Sequence, residues 1–522
     1  MSYSRFRIAT LLVFVAGVVC VVAEERYDER YRPQFHFSPQ MNWTNDPCGL
    51  VYAFGKYHLF FQHNPFANVW GHMSWGHAAS ADLVHWAQLP VAISDDPKVA
   101  IFTGSSVVDG ANTSGLCASP PEGPATARDG GCIVSIYTGY TAKTEATAAR
   151  QTQNLAYSQD GVTWTKYSGN PVLDLGRDDT RDPKVFWYAP GKQWIMVIVL
   201  ASEKKIRMFA SPNLKQWHAL SDFGPQGGTG GEWECPDLYR LPLEGRGGEA
   251  RWILKIGLNP GHIAGGSGEQ YFIGRFDGTR FENENPANEI RWLDYGRDSY
   301  CELTFNNEPK EDAPRMIGWM NNWQYAGVSP TSPWRGAMTL PRVLSLSGAN
   351  GRVALLQRPI EELKSLRGEA FEYQGASEAD LNRKLTEWPH RSQTFEMEAT
   401  VKPGEAKQIT WRVLQGQNDE TIAGFDTEKG ELFLDRSKCA NANFSDKFPS
   451  RTVAPLKLGA EPLLLHIFVD RSSVEIFAQD GRSAMTNLAF PNPTSTGISL
   501  STAGGRLDNV QVKMWPLRSA WR

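Results

Sequence analysis

Much that would place this 522-residue chain in a common class is scarce. Cysteine is used only seven times, with no Cys-x-x-Cys, which excludes a disulfide-built scaffold and the usual zinc modules. Histidine is used ten times, and His72 and His77, five apart, lack the spacing of a helical or strand-face metal pair, so no metal and no cofactor is expected and both read as structural or substrate-facing. Neither sign of charge dominates, 53 Lys and Arg standing against 57 Asp and Glu, so nothing in the charge balance favours nucleic acid or an anionic membrane as partner. No long apolar run follows residue 22, and long helical periodicity is rare throughout. Aromatic residues, by contrast, reach 11% and include 18 tryptophans, which need a structural or a functional reason.

A chain of this length exceeds one ordinary core and implies two domains. Residues 1–23 read as a secretory leader: Arg5 and Arg7 are followed by the apolar stretch from Ile8 to Val22 and a small-residue cleavage site at Val21-Val22-Ala23. The stretch is short for a membrane span, so the mature protein is expected to be secreted, soluble and free of the membrane. Cys20 leaves with the leader. In an oxidising compartment Cys117 and Cys132 are placed to close a Gly/Pro/Ala-rich loop, whereas Cys48 and Cys235, which sit inside acidic motifs, are expected to stay free. Sequons occur at Asn42, Asn112 and Asn443. The last two lie in loop-like segments and are the better candidates for a glycoprotein.

Short β-rich runs separated by Gly, Pro, Asn or Asp clusters make this an all-β chain. A weak repeat, Ser-x-Asp/Asn-Leu/Gly-x-x-Trp, occurs at Ser80–Trp86, Ser158–Trp164 and Ser211–Trp217, with a degenerate copy at Asp277–Phe281. Each copy reads as a strand, a polar turn and an aromatic that packs back, and the spacing of about 50 to 80 residues suits four-stranded propeller blades. Trp86, Trp164 and Trp217 are then packing residues. After about Ser345 the texture changes: residues 357–366 carry a proline and helical apolar spacing, and the last 150 or so residues read as short strands of a β-sandwich. The divisions expected are a propeller over 31–345, a linker with a short helix over 346–368, and a sandwich over 369–522. Glu475, inside a sandwich strand, is expected to face solvent.

Three acids stand in tight, proline-marked settings: Asp46 in Trp43-Thr44-Asn45-Asp46-Pro47, Asp182 in Arg181-Asp182-Pro183, and Glu234 in Glu232-Trp233-Glu234-Cys235-Pro236. Taken singly, an acid–proline pair is usually a turn, and Asp96-Pro97 and Glu308-Pro309 keep that reading. The three differ in having aromatic or basic neighbours, and the following proline is expected to hold Asp46 and Asp182 extended. In chain order come Leu59-Phe60-Phe61-Gln62-His63-Asn64-Pro65, then Trp70-Gly71-His72-Met73-Ser74-Trp75-Gly76-His77, then Phe102-Thr103-Gly104-Ser105. After the second and third acids comes Gly318-Trp319-Met320-Asn321-Asn322-Trp323.

In this order the motifs strongly resemble glycoside hydrolase family 32, the invertases, exo-inulinases, levanases and related fructosyltransferases. The resemblance covers the chain from about Arg32 to its end and implies a five-bladed β-propeller followed by a C-terminal β-sandwich. It also implies roles: Asp46 as nucleophile, Glu234 as general acid/base, Asp182 as the residue that binds fructosyl hydroxyls, and Asn45, Gln62, Trp70, Phe102, Thr103, Arg181 and Trp323 around the sugar. Two carboxyls in one retaining site need environments that push their pKa values apart, with Asp46 ionised and Glu234 protonated by burial beside Trp233 and Cys235. The sequence departs from the common family pattern at Thr44, Cys48 and Thr103, where Met, Asn and Ser are usual, and no catalytic carboxylate is lost. The expected activity is hydrolysis of terminal β-fructofuranosyl residues of sucrose or fructans. A fructosyltransferase and a non-catalytic fructan-binding protein are the alternatives.

Overall fold

The computed structural model describes residues 27–118, 131–310, 312–348 and 352–521; the expected leader lies outside them. From residue 42 to residue 359 the chain lays down five sheets in succession, each with four antiparallel strands that follow in chain order from inside outward. The innermost strands are Asn42–Ala53, Ala100–Asp109, Thr180–Tyr188, Glu232–Pro242 and Tyr300–Thr304. Each packs beside the next and the fifth returns to the first, which closes a five-bladed propeller. The seam between the last and first blades is stitched by a short parallel pairing of Trp334–Arg335 with Asn42 and Trp43, and by Asn306, which exchanges backbone hydrogen bonds with Leu50 and Tyr52.

Stacked blades explain the apolar runs. In the strand Gln193–Leu200, Ile195, Val197 and Val199 pack against Leu254, Ile256 and Leu258 of the fourth blade. The alternate residues Trp194, Met196 and Ile198 pack against Val134 and Ile136 of the second, so both faces of the strand are buried. The Ser-x-Asp repeat is the turn between third and fourth strands of a blade. Asp82, Asp160 and Asn213 each accept two backbone N–H bonds through one side-chain oxygen. The fourth position turns left-handed at Leu83 (φ 64°), Gly161 (75°) and Leu214 (61°). The indoles of Trp86 and Trp217 donate back to the carbonyls of Leu83 and Leu214, both at 3.0 Å.

The C-terminal half packs a six-stranded sheet against a five-stranded one. The expected linker needs correcting, because Ala354–Pro359 is the outermost strand of the fifth blade. Blade structure therefore continues to Pro359. A 3-10 helix, Glu361–Leu366, follows and buries Leu363 and Leu366. The single α-helix among the described residues, Glu378–Glu387, was not read from the sequence, although Ser377 caps the backbone N–H of Asp380 and Leu381 and Leu385 face the core.

Glu475 does not face solvent. It is fully buried at the junction of the two domains, where Oε2 meets Arg342 of the fifth blade at 2.9 Å and Oε1 meets His36 at 2.9 Å. Arg342 also reaches Asp294 at 3.0 Å and Glu302 at 3.1 Å, and His36 reaches Asp470 at 2.8 Å. Burial works against an imidazolium at His36, but the bonds to Asp470 and Glu475 outweigh it and raise the group to about 9. Strand alternation placed Glu475 outside because it counts residues along one sheet and is blind to a second domain covering that face.

Arg342→Met leaves three carboxylates buried around a lost cation and is expected to destabilise the protein by about 3–5 kcal/mol in denaturant titrations. Arg207→Met, which breaks a partly exposed pair with Asp222, is expected to cost less than about 1 kcal/mol.

Candidate active site

Every innermost strand carries a register shift against its neighbour near its first residues: Thr44 to Pro47, Ile101 to Gly104, Arg181 to Lys184, Glu234 to Asp237, and Tyr300 to Leu303. A bulge adds a residue to one strand, twists it and re-aims the side chain. Five bulges at the same end of five converging strands turn polar side chains toward the propeller axis. Asp182 sits in its bulge at φ +61°, and Cys235 and Cys301 at +47° and +48°. The expected extended conformation of Asp182 is therefore wrong. The bulge reverses the backbone there, Asp tolerates the left-handed region, and Thr138 accepts its N–H at 3.0 Å.

The strand ends enclose a cavity of 270 Å³. All ten residues picked from the sequence line it: Asp46, Asp182 and Glu234, with Asn45, Gln62, Trp70, Phe102, Thr103, Arg181 and Trp323. Asp46 Oδ2 accepts from the Thr103 hydroxyl at 3.1 Å, while Oδ1 has no hydrogen-bond partner, and neither has the buried amide nitrogen of Gln62. Asn45 is locked by the Trp43 indole, which donates to its Oδ1 at 2.7 Å. Trp323 leans on Trp319 and Trp43, with ring centres 4.8 and 6.0 Å away. Trp70 is half exposed at the rim.

Arg181 is the cation of the cavity. Its guanidinium reaches Glu234 Oε1 at 3.1 Å and also binds Glu232, with Asp182 at 4.0 Å. Asp182 Oδ2 accepts the backbone N–H of Cys235 at 3.0 Å. Burial, then the charges of Glu234 and Asp182, push Asp46 up to about 7 against the opposing bonds from Asn45 and Thr103. Burial likewise raises Asp182 to about 6, although Arg181 pulls it down. The surroundings therefore do not drive Asp46 to its ionised form as expected. Nor is Glu234 buried: its side chain is 21% exposed to the cavity, with Arg181 at Oε1 and the Tyr300 hydroxyl donating to Oε2.

Tyr300 was missed by sequence reasoning, as was Asn259, which also lines the cavity. Tyr300 lies 66 residues from its partner, and only the packing of the fourth and fifth blades joins them. The same packing corrects the expectation for Cys235. It is not free but disulfide-bonded to Cys301, and its sulfur touches Asp46 Oδ2 at 3.6 Å without a proton to donate. Cys117 and Cys132 are also bonded, and Cys48 is free and buried. Beneath Cys235, Lys255 donates to its carbonyl at 2.7 Å and pairs with Glu269 at 2.8 Å.

The remaining sequence candidates lie outside the cavity. His77 is buried against His58, 3.0 Å between ring nitrogens, and burial holds it near 3. His72 is exposed beside Asp95. Asp96 caps the turn at Lys98 and Val99, and Glu308 binds Arg315 at 3.0 Å. Asp46, Cys235 and Cys301 converge closely enough to suggest metal ligands, but two sulfurs joined to each other offer no thiolate.

Asp46→Asn is expected to abolish turnover and to stabilise the fold. A carboxyl raised from about 4 to about 7 stabilises only while protonated, so the variant's advantage grows as pH rises from about 4 to 7, reaching at most about 4 kcal/mol above that. Thermal melts at pH 3.5 and 8 measure it. Tyr300→Phe removes a donor from Glu234 and is expected to lower kcat about 10- to 100-fold and to move the acid/base limb of the pH profile.

Residues 36–359 match the family model described as glycosyl hydrolases family 32 N-terminal domain, and residues 362–516 match that of the family 32 C terminal. The chain is 43% identical over 519 residues to a levanase of Bacillus subtilis, covering 98% of this chain and 74% of that protein. It is 38% identical to an extracellular exo-inulinase of Aspergillus niger, covering 98% of both. The crystal structure of an exo-inulinase from Aspergillus awamori superposes with a TM-score of 0.85 at 35% identity, over 95% of this chain and all of that one. A β-fructofuranosidase from Schwanniomyces occidentalis, complexed with fructosyl-erythritol, superposes at 0.81 and 30% identity, over 95% of this chain and 99% of that one.

Proposed function

The chain belongs to glycosyl hydrolase family 32, and from that premise we propose that it is a secreted exo-acting β-fructofuranosidase, removing terminal fructosyl units from fructans and sucrose with retention of configuration. One observation carries the reading: Asp46, Asp182 and Glu234, about 50 to 190 residues apart in sequence, share one cavity with a single arginine and a tryptophan rim. Asp46 attacks the anomeric carbon while Glu234 passes a proton to the departing oxygen. Glu234 then takes a proton from water as that water releases fructose from Asp46. Asp182 and Gln62 offer acceptor and donor to the fructosyl hydroxyls, and Trp70, Phe102 and Trp323 supply apolar faces for the ring.

Trp70 lines the rim of the cavity. A second hollow of 520 Å³ begins there, lined by Trp70, His72, Lys98 and Tyr140, and has room for further units of a fructan chain. Export is supported by two disulfides and by relatives named extracellular.

Fructose release from sucrose, inulin and levan tests the proposal, and no release from any of them overturns it. NMR of the first-formed product is expected to show the β-anomer, and added methanol is expected to trap methyl β-fructoside from the covalent intermediate. Trp70→Ala is expected to raise KM about 10-fold on inulin with a smaller change in kcat, since it removes wall contacts and no reacting group.

A further inference from the structure

The propeller has a second mouth. At the far ends of the innermost strands, opposite the catalytic cavity, lies a larger hollow of 510 Å³. Two walls are aromatic: Phe186 and Trp187 end the third innermost strand, and Trp252 stands in the neighbouring blade, 5.6 Å from Phe186 between ring centres. Trp187 is 43% exposed, and Trp70 at the catalytic rim is the other tryptophan so exposed among the described residues. Most tryptophans here are buried in packing or turns, so an indole left open at each mouth calls for an occupant. The two hollows are separate, because Lys184 plugs the axis between them, bonded to Thr304 at 2.7 and 3.0 Å and paired with Asp237.

Most polar groups around this hollow are bonded within the protein, and two are not. Tyr239 lines it at 7% exposure, and its hydroxyl has no hydrogen-bond partner, an uncommon state for a buried polar atom. Arg240, next along the strand, lines the same hollow exposed and forms no ion pair or side-chain hydrogen bond among the described residues. Flat aromatic faces, a few convergent donors and a volume of this size are the features of a small-molecule site, and stacking walls with hydroxyl and guanidinium donors suit sugar rings rich in acceptors.

We infer that this mouth is a second saccharide site, which holds a short segment of a neutral fructan away from the catalytic cavity. Its occupant follows from the proposed activity, since the saccharide most available to such an enzyme is its own polymeric substrate. The site tethers polymer and raises the local concentration of chain ends without taking part in bond cleavage.

The test uses the full chain carrying Asp46→Asn, so that the probe is not consumed, with calorimetric titration by inulin-type and, separately, levan-type fructotetraose. Two sites are expected with at least one of the probes. Adding Trp187→Ala is expected to remove one of them, and adding Tyr239→Phe, which keeps the ring volume, to weaken that one about fivefold. In the active enzyme, Trp187→Ala is expected to leave kcat/KM on sucrose unchanged while raising KM on polymer. A single site with both probes, unaffected by either variant, overturns the inference. Fructose release by the unsubstituted enzyme tests the catalytic proposal independently, so either failure is recognisable by itself.

Discussion

Three carboxyl groups crowd into one small cavity with one guanidinium between them, and much of the molecule is arranged around that concentration of like charge. Burial and the neighbouring carboxylates raise Asp46 and Asp182 above the ordinary carboxylate range. Arg181 offsets part of the repulsion by binding Glu234 while lying beside Asp182. The backbone N–H of Cys235 and the hydroxyls of Thr103 and Tyr300 each hold one oxygen. Asp46 is held up at about 7, with one oxygen unpartnered. In the proposed reaction, a carboxylate so poised gains most from any contact that lowers its charge cost, and a positively polarised sugar carbon at the transition state is such a contact.

The charge compensation does not stop at the cavity. Lys255 supports the carbonyl of Cys235 and pairs with Glu269, which also accepts the backbone N–H of Glu302. Glu302 meets Arg342, Arg342 meets Glu475, and Glu475 meets His36. A buried chain of charged groups, joined between Glu269 and Glu302 by a backbone N–H, therefore runs from behind Glu234 into the sandwich. Each link costs desolvation and is tolerable only with its neighbour in place, which ties the orientation of the two domains to the groups beneath the catalytic strand.

The sequence was most legible where function is local. The Ser-x-Asp turn declared the blades because its hydrogen bonds join residues two or three apart. The site residues were legible through motif order, and all ten meet in one cavity. What stayed hidden depends on partners far away along the chain. Tyr300 on Glu234, Cys235 with Cys301, and Glu475 under Arg342 are each set by the packing of blades or domains. The left-handed Asp182 was misread for a related reason. A proline biases its neighbour, but the bulge that overrides the bias is a property of two paired strands.

The junction at Arg342 bears on how such chains evolve. A catalytic propeller and a sandwich look like interchangeable modules, yet here each carries the other's counterions: Asp294, Glu302 and Arg342 on one side, Glu475 and Asp470 on the other, with His36 from the N-terminal segment between them. Domain swapping by recombination at residue 360 would inherit unpaired charge in both products. Drift at Arg342 or Glu475 requires a matched change more than a hundred residues away. The two halves are thus bound to a common history by electrostatics, and the natural unit of exchange is the whole pair.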